Sequence, residues 1–420
     1  MVDSIPLPTP HKLLAIEVLK FIADIECLNA TLPLTMSLVG LLENRSGKKF
    51  NEFLAKEAIE QKEKENGIIT YTLNTVDVKT ADILNHKLNN FQNASRLIPR
   101  HFVISLVSQY DYLLGKIIRF IFTSNPEMLN STEKSLRYTD LIAFESIPAA
   151  QEYLIEKEVE SIIRKSHSDQ FEWLTKRLKI PFTENLKSWP NFIELTERRN
   201  LFVHCDGKVS SQYIKVCTEN KCAIDSCIKL GEELKVTKVY FNNAYRCIYE
   251  IGIKLSQVIW RQLYRNELEE PDANLIDITY RLIDRGEYEL AIKLLDFFTG
   301  KPMKHANDTS RRMLIVNKAQ AYKWIKDEKR CLEILALEDW TACDDRFKIG
   351  ISVLRDDFES AYNLMKILSH NTEFDHSSYA DWPIFKKFRQ EEKFKVIYKE
   401  CYGKDFRIEK STGENLATKK

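Results

Sequence analysis

Glycine and proline are scarce in this sequence, twelve of each in 420 residues, which excludes a turn-rich all-β protein and favours long helices. Excess charge is missing as well, since 62 Lys+Arg stand against 61 Asp+Glu. With no overall field to draw in nucleic acid or an anionic membrane, any polyanion has to be gripped locally. The start, MVDSIPLPTPHKLL, lacks a charged segment followed by a sustained apolar stretch. The longest apolar run elsewhere, LPLTMSLVGLL at 32–42, is too short to span a bilayer. A cytoplasmic protein without a membrane partner is expected. Zinc-type cysteine spacing is also lacking: Cys217, Cys222 and Cys227 follow one another in five-residue steps with no nearby histidine. They read as reduced structural thiols, and no metal is expected. No glycine-rich phosphate loop occurs, so no cofactor is expected and nucleotide binding ranks last among the functions considered.

What is present is hydrophobic patterning, with 44% hydrophobic residues, enough for more than one core. A mainly α protein is expected, in four stretches: a small mixed N-terminal region over 1–95, a helical bundle over 96–268, helical repeats over 269–404 and a polar, disordered tail over 405–420. In the first stretch a helix is predicted around His11 to Cys27. The charged run KEAIEQKEKENG then leads to a turn at Asn66 and Gly67, and a strand or hairpin follows at 68–78. In the second, Val103, Leu106, Val107, Tyr110, Leu113, Leu114, Ile117, Ile118 and Ile121 recur at three- and four-residue steps and form the stripe of a long core helix. Asp111 sits at the edge of that stripe, where its carboxylate can reach inward. Further helices are predicted in AAQEYLIEKEVESIIRKS, in DQFEWLTKRLKI, in SWPNFIELTERRNLFVH with Pro190 in its first turn and a stop at Asp206-Gly207, and in NNAYRCIYEIGIKLSQVIWRQLY.

NELEEPDANL, charged and without apolar periodicity, reads as the domain boundary. Beyond it three helix–turn–helix units align on the small residues Ala291, Cys331 and Ala361, spaced by 40 and 30 residues. These units resemble divergent tetratricopeptide repeats: Gly286, Tyr288 and Ala291 match the turn and second-helix positions, while the aromatic and Leu-Gly signature of the first helix is largely missing. DWPIFKKFRQEEKFKVIYKECYG looks like a terminal cap.

The chemistry concentrates in TERRNLFVHCDG, 196–207. At 100° per residue, Phe192, Leu195, Phe202 and Val203 share one helix face and Arg199 lands at its centre. A guanidinium there needs a partner. Thr196, Glu197, Asn200 and His204 occupy the adjoining polar face. His204 ends the helix, where the unsatisfied carbonyls favour an imidazolium and the ring can point outward, a placement that suits proton transfer. Two readings stand. Arg199 forms a buried pair with Asp111 or with a carboxylate of the 150s helix while His204 caps the helix; or the two side chains converge on one phosphodiester. The same Arg-x4-His spacing recurs at Arg96 and His101, but Pro99 lies between them, so this second copy is not expected within a regular helix.

In its context, ERRNLFVHCDGKVSSQYI resembles the signature region of the HEPN superfamily, named for higher eukaryotes and prokaryotes nucleotide-binding. That motif is an arginine, a polar residue and, after four to six intervening residues, a histidine; Arg199, Asn200 and His204 match it. The resemblance implies a bundle of four or five helices and, for many members, metal-independent cleavage of RNA as a toxin or anti-phage defence effector. It implies Arg199, Asn200 and His204 as catalytic residues, with Asp111 and Glu197 in support. The implied partners are RNA, a second copy of the chain through the bundle, and an antitoxin, phage component or other protein trigger on the repeats. The other reading is an idle bundle joined to a repeat array, a scaffold that binds protein or nucleotide.

Overall fold

The computed structural model describes residues 9–64, 69–131, 136–184, 186–224, 228–300, 303–371, 374 and 376–408. The turn expected at Asn66-Gly67, Cys227 and the part of the tail from Glu409 lie outside the described residues; within the stretch expected as a disordered tail from residue 405, Phe406 instead packs on Phe394 and Tyr398 at centroid distances of 5.2 and 5.0 Å. The protein is mainly helical, as its breaker-poor composition requires, and divides into two compact units, Met1–Leu263 and Tyr264–Lys420.

The first unit is built on two very long helices, α1 (Pro10–Glu57) and α2 (Thr75–Ser124), joined by an antiparallel pair, β1 (Ala58–Glu63) and β2 (Ile69–Leu73). Residues 9–95 are therefore not a separate mixed region, because α1 packs on α2 and on the later helix α8 (Lys238–Leu263) within one unit. Buried residues change pattern along α1. Leu14, Val18, Phe21, Ile22 and Ile25 form a broad core face, whereas Leu32, Val39, Ser46 and Leu54 make a line one residue wide, as when a single neighbour covers the helix. The hydroxyls of Thr31, Thr35 and Ser37 return to the carbonyls of Cys27, Thr31 and Pro33 at 2.7, 2.9 and 2.8 Å, which lets the helix run through this polar-spotted stretch. An 18-residue window of α1 has mean hydropathy 1.5 and is 17% buried, long and apolar enough by length and composition to cross a membrane. This exceeds what the run at 32–42 indicated, because α1 continues far beyond Cys27.

α2 continues through Pro99, contrary to expectation. Proline removes one ladder hydrogen bond and crowds the preceding turn, but here the residue is buried on a helix packed against α1, α8, α4 (Ile147–Ile163) and α6 (Trp189–His204), and this packing offsets the loss. Arg96 and His101 consequently share a helix without sharing a site: Arg96 pairs with Asp206 at 3.1 Å, while the His101 ring bonds its own helix at Leu97 O. All nine stripe residues from Val103 to Ile121 are fully buried. The short α3 (Tyr138–Leu141), α5 (His167–Leu178) and α7 (Ser211–Glu219) complete the unit.

Where α8 crosses α1, Gly252 admits the ring of Phe21; a Cβ at Gly252 would stand 2.6 and 2.8 Å from ring atoms of Phe21 and 3.2 Å from Leu113. Alanine normally gains about 1 kcal/mol over glycine inside a helix, but these neighbours are buried and cannot swing away. Gly252→Ala is expected to lower stability by about 1–3 kcal/mol, read by chemical denaturation. Equal or greater stability would show that the crossing can open.

The second unit stacks three helix pairs: α9 (Glu269–Asp284) with α10 (Tyr288–Phe298), α11 (Asp308–Trp324) with α12 (Glu328–Ala336), and α13 (Asp345–Leu354) with α14 (Phe358–Leu368). The pairs share one turn. Gly286, Lys326 and Asp356 occupy its left-handed position at φ 82°, 68° and 57°, and the next residue's N–H closes back onto Leu282, Tyr322 and Ser352 at 2.8, 3.0 and 2.9 Å. Ala291, Cys331 and Ala361 are buried, as their alignment required. NELEEPDANL is not a linker beyond Leu268, since Glu269, Glu270 and Asp272 form the acidic first turn of α9. The final segment, α15 (Ser378–Asp381) to α16 (Glu392–Tyr402), buries Phe385, Phe388, Phe394 and Tyr398 in one cluster with Ala361, Tyr362 and Met365 of the last pair.

Candidate functional site

The site is assembled on α6. Pro190 lies in its first turn, and Phe192, Ile193, Leu195 and Phe202 seat the helix in the core. Val203 does not join them. It is 47% exposed, although Leu201 and Phe202 of the same last turn are buried. Asp206 and Gly207 take left-handed φ values of 49° and 77°, and the N–H groups of Cys205 and Gly207 both close on Leu201 O, at 2.8 and 3.0 Å. His204 therefore does not cap the helix; its side chain is exposed, with no hydrogen bond to any described residue.

The stop is locked from α2. The buried Arg100 guanidinium lies against Gly207, donates to Asp206 O at 3.0 Å and to Asp206 Oδ1 at 3.1 Å, and pairs with Glu233. A strand-like bridge between Lys208 and Glu233 ties the following chain down. Arg100 thus fixes where α6 ends and where His204 stands.

On the same helix, Arg199 Nη2 donates to Asp111 Oδ2 at 2.8 Å, and Nη1 donates to Asn200 Oδ1 at 3.1 Å. A cation survives among apolar neighbours here because the stripe-edge carboxylate of α2 reaches it and its side chain stays 22% exposed. Asp111 accepts on its other oxygen too, from His167 Nε2 at 2.9 Å. One carboxylate thereby positions a guanidinium and an imidazole. Asn200 Nδ2 donates in turn to Glu197 Oε1 at 3.3 Å, and burial holds the Glu197 carboxyl above the ordinary carboxylate range against the lowering pull of His167, Asn200 and Arg199.

Arg199, Asn200, His204 and Glu197 line one cleft of about 540 Å³, whose other wall is the α4–α5 connection with Arg164, Lys165 and His167. Asp111 does not line it and sits behind, holding Arg199 and His167 in place. The sequence reading missed His167. It is the first residue of α5, after Ser166, whose hydroxyl caps the helix by accepting from Asp169 N at 3.2 Å. That cap is a legible helix start, but nothing in the sequence says that this start faces α6.

A second polar group on α6 points the other way. Glu194 accepts from Tyr213 at 2.7 Å, Tyr240 at 2.9 Å and Arg198 Nε at 2.7 Å, a satisfied buried network that joins α6 to α7 and α8. Beside it Cys217 is buried and its thiol is pushed up by burial. Cys217 and Cys222 are free thiols, and among the described residues no group of three or more His, Cys, Asp or Glu side chains could hold a metal ion. No protein-family model, curated protein or solved structure matches this chain.

Proposed function

We propose that the first unit is a HEPN-like bundle that cleaves RNA without a metal, as a cytoplasmic toxin or anti-phage effector. The observation that carries this reading is the shared cleft: Arg199, Asn200 and His204 open into one space, with the histidine ring unpartnered among the described residues and the arginine fastened from behind. RNA supplies its own nucleophile in the 2′-hydroxyl, so the protein has only to move protons and stabilise charge on phosphorus. A guanidinium has five N–H groups in a rigid fork. Two of those in Arg199 are spent on Asp111 and Asn200, and others remain to meet phosphoryl oxygens in a way that a lysine would not reproduce. His204 serves as a proton-transfer group and Asn200 orients the arginine. Arg164 and Lys165 bring positive charge to the far wall, the local grip that a chain of net charge +1 needs.

A second copy pairing through the bundle would bring two such clefts together, and the tetratricopeptide-like array would hold an antitoxin, phage component or other trigger. The scaffold reading draws on a different feature, a groove of about 740 Å³ in the second unit lined by Tyr280, Met313, Phe347 and Trp382 with Asp277 and Arg346. Growth separates the two. Overproduction of the wild-type chain is expected to arrest cells and His204→Ala to abolish the arrest; equal growth with both chains would favour the scaffold.

A further inference from the structure

We propose that His167 is the second proton-transfer group of the cleft and acts as the base opposite His204; the inference rests on the ribonuclease reading above. The His167 side chain is 8% exposed yet lines the cleft with Arg199 and His204. Its ring is held edge-on to Phe192 and tilted against Tyr110, with centroids 5.5 and 6.0 Å away. A carboxylate only accepts, so the contact with Asp111 Oδ1 at 2.9 Å places a hydrogen on His167 Nε2. In the neutral ring the lone pair then lies on Nδ1, which has no hydrogen-bond partner among the described residues. This is the arrangement by which an aspartate orients a histidine base, one ring nitrogen tied back and the other presented to substrate.

The surrounding charges fit that role. From α2, Asp111 and Tyr110 face the ring; from α6, Glu197 and Arg199; from the α4–α5 connection, Arg164 and Lys165, with His204 across the cleft. Asp111 also pairs with Arg199 at 2.8 Å, so one carboxylate fixes the arginine and the histidine relative to each other. His204 has no carboxylate partner among the described residues and stands in open solvent, suited to exchange protons with water and deliver one.

The step balances with these groups alone. His167 Nδ1 takes the proton of the 2′-hydroxyl as the O2′–P bond forms, Arg199 meets the non-bridging oxygens, and the His204 imidazolium gives its proton to O5′ as the P–O5′ bond breaks. The products are a 2′,3′-cyclic phosphate and a 5′-hydroxyl. Solvent returns both histidines to their starting states.

The test compares two short oligoribonucleotides in chelator, one with an ordinary linkage and one whose leaving oxygen is replaced by sulfur, which departs as a thiolate without a proton. Wild type, His167→Gln and His204→Ala are assayed on both across pH. Glutamine keeps an N–H for Asp111, and thermal melting checks its fold. His167→Gln is expected to lower kcat/KM by roughly 10²–10⁴ on both substrates and to erase the acidic limb of the pH profile. His204→Ala is expected to lose as much on the ordinary linkage and to recover to within about tenfold of wild type on the sulfur one. The wild-type profile, which no folding defect can obscure, should be bell-shaped, and a single limb there would overturn the proposal. A His167→Gln enzyme with near wild-type rates and both limbs, beside an inactive His204→Ala, would overturn it and leave the ribonuclease reading intact. Absence of cleavage by wild type on either substrate would overturn both.

Discussion

Replacing His204 by alanine is expected to lower the rate of RNA cleavage by roughly 10²–10⁴ while leaving the melting temperature where it was. The two halves of that result come from different observations. The ring lines the cleft with Arg199 and Asn200, so on the proposed ribonuclease reading its loss would remove a proton-transfer group. It is also exposed, and α6 is closed by the Cys205 and Gly207 amides rather than by the imidazole, so the fold does not depend on it. Arg199→Ala is expected to cost roughly 10²–10³ in rate, and Arg199→Lys should not restore it, since an ammonium cannot hold Asp111 and Asn200 while offering a planar edge to phosphate. Unlike the histidine change, Arg199→Ala should also soften the fold slightly, because among the described residues Asp111 then keeps only His167 as a partner. Full cleavage by His204→Ala would remove that residue from the chemistry.

Phe192→Ala is expected to have the largest effect on stability, a loss of about 3–5 kcal/mol and a fall of roughly 6–20 °C in melting temperature. The ring is fully buried where α2, α5 and α6 meet, with Tyr110, His167, Phe171 and Trp189 at centroid distances of 4.9, 5.5, 5.8 and 5.8 Å. Deleting it leaves a cavity walled by large rings that cannot collapse to fill it. The same ring is the floor beneath His167, so activity should fall further than melting alone explains at temperatures where the variant is still folded. Differential scanning calorimetry and a low-temperature cleavage assay read the two effects separately. A shift under about 1 kcal/mol would mean that the aromatic cluster repacks freely, against the close packing expected of an interior.

Legibility in the sequence followed burial. The stripe from Val103 to Ile121 could be read because α2 is covered broadly there, so apolar spacing records the helix period. The first half of the same helix could not, since between Thr75 and Arg96 only Ala81 is buried, and a helix touching one neighbour needs little apolar sequence. α1 past Cys27 escaped for the same reason. β1, AIEQKE, is exposed along nearly its whole length and so carries no alternation to mark it as a strand. The repeat units were legible through turns that recur at fixed distances from small buried residues, Gly286, Lys326 and Asp356 ahead of Ala291, Cys331 and Ala361.

At the site, helix geometry set Arg199 and His204 apart but left two readings open, and the resemblance to the HEPN motif is what joined them with Asn200. Asp111, 88 residues away, was visible as a candidate partner from its place at the edge of a stripe, and the ion pair joins the two. Val203 was misassigned to the core because helical phase alone does not say which side of a turn its neighbours cover: Leu201 and Phe202 of that turn are buried and Val203 is not. His167 carried no motif, and its role depends on a meeting of α5 with α2 and α6 that no local pattern encodes. Arg100 was hidden in the same way: its value lies in clamping a helix stop more than a hundred residues later.

The measurement that bears most directly on the shared cleft is the chemistry of the cut ends. Purified protein is incubated with total RNA in excess chelator, and both new termini are mapped for wild type and for His204→Ala. Ends carrying 2′,3′-cyclic phosphate and 5′-hydroxyl, made by wild type and missing with the variant, are expected. Ends carrying 3′-hydroxyl and 5′-phosphate, or the same cuts by both proteins, would contradict the assignment of Arg199 and His204 to one phosphodiester.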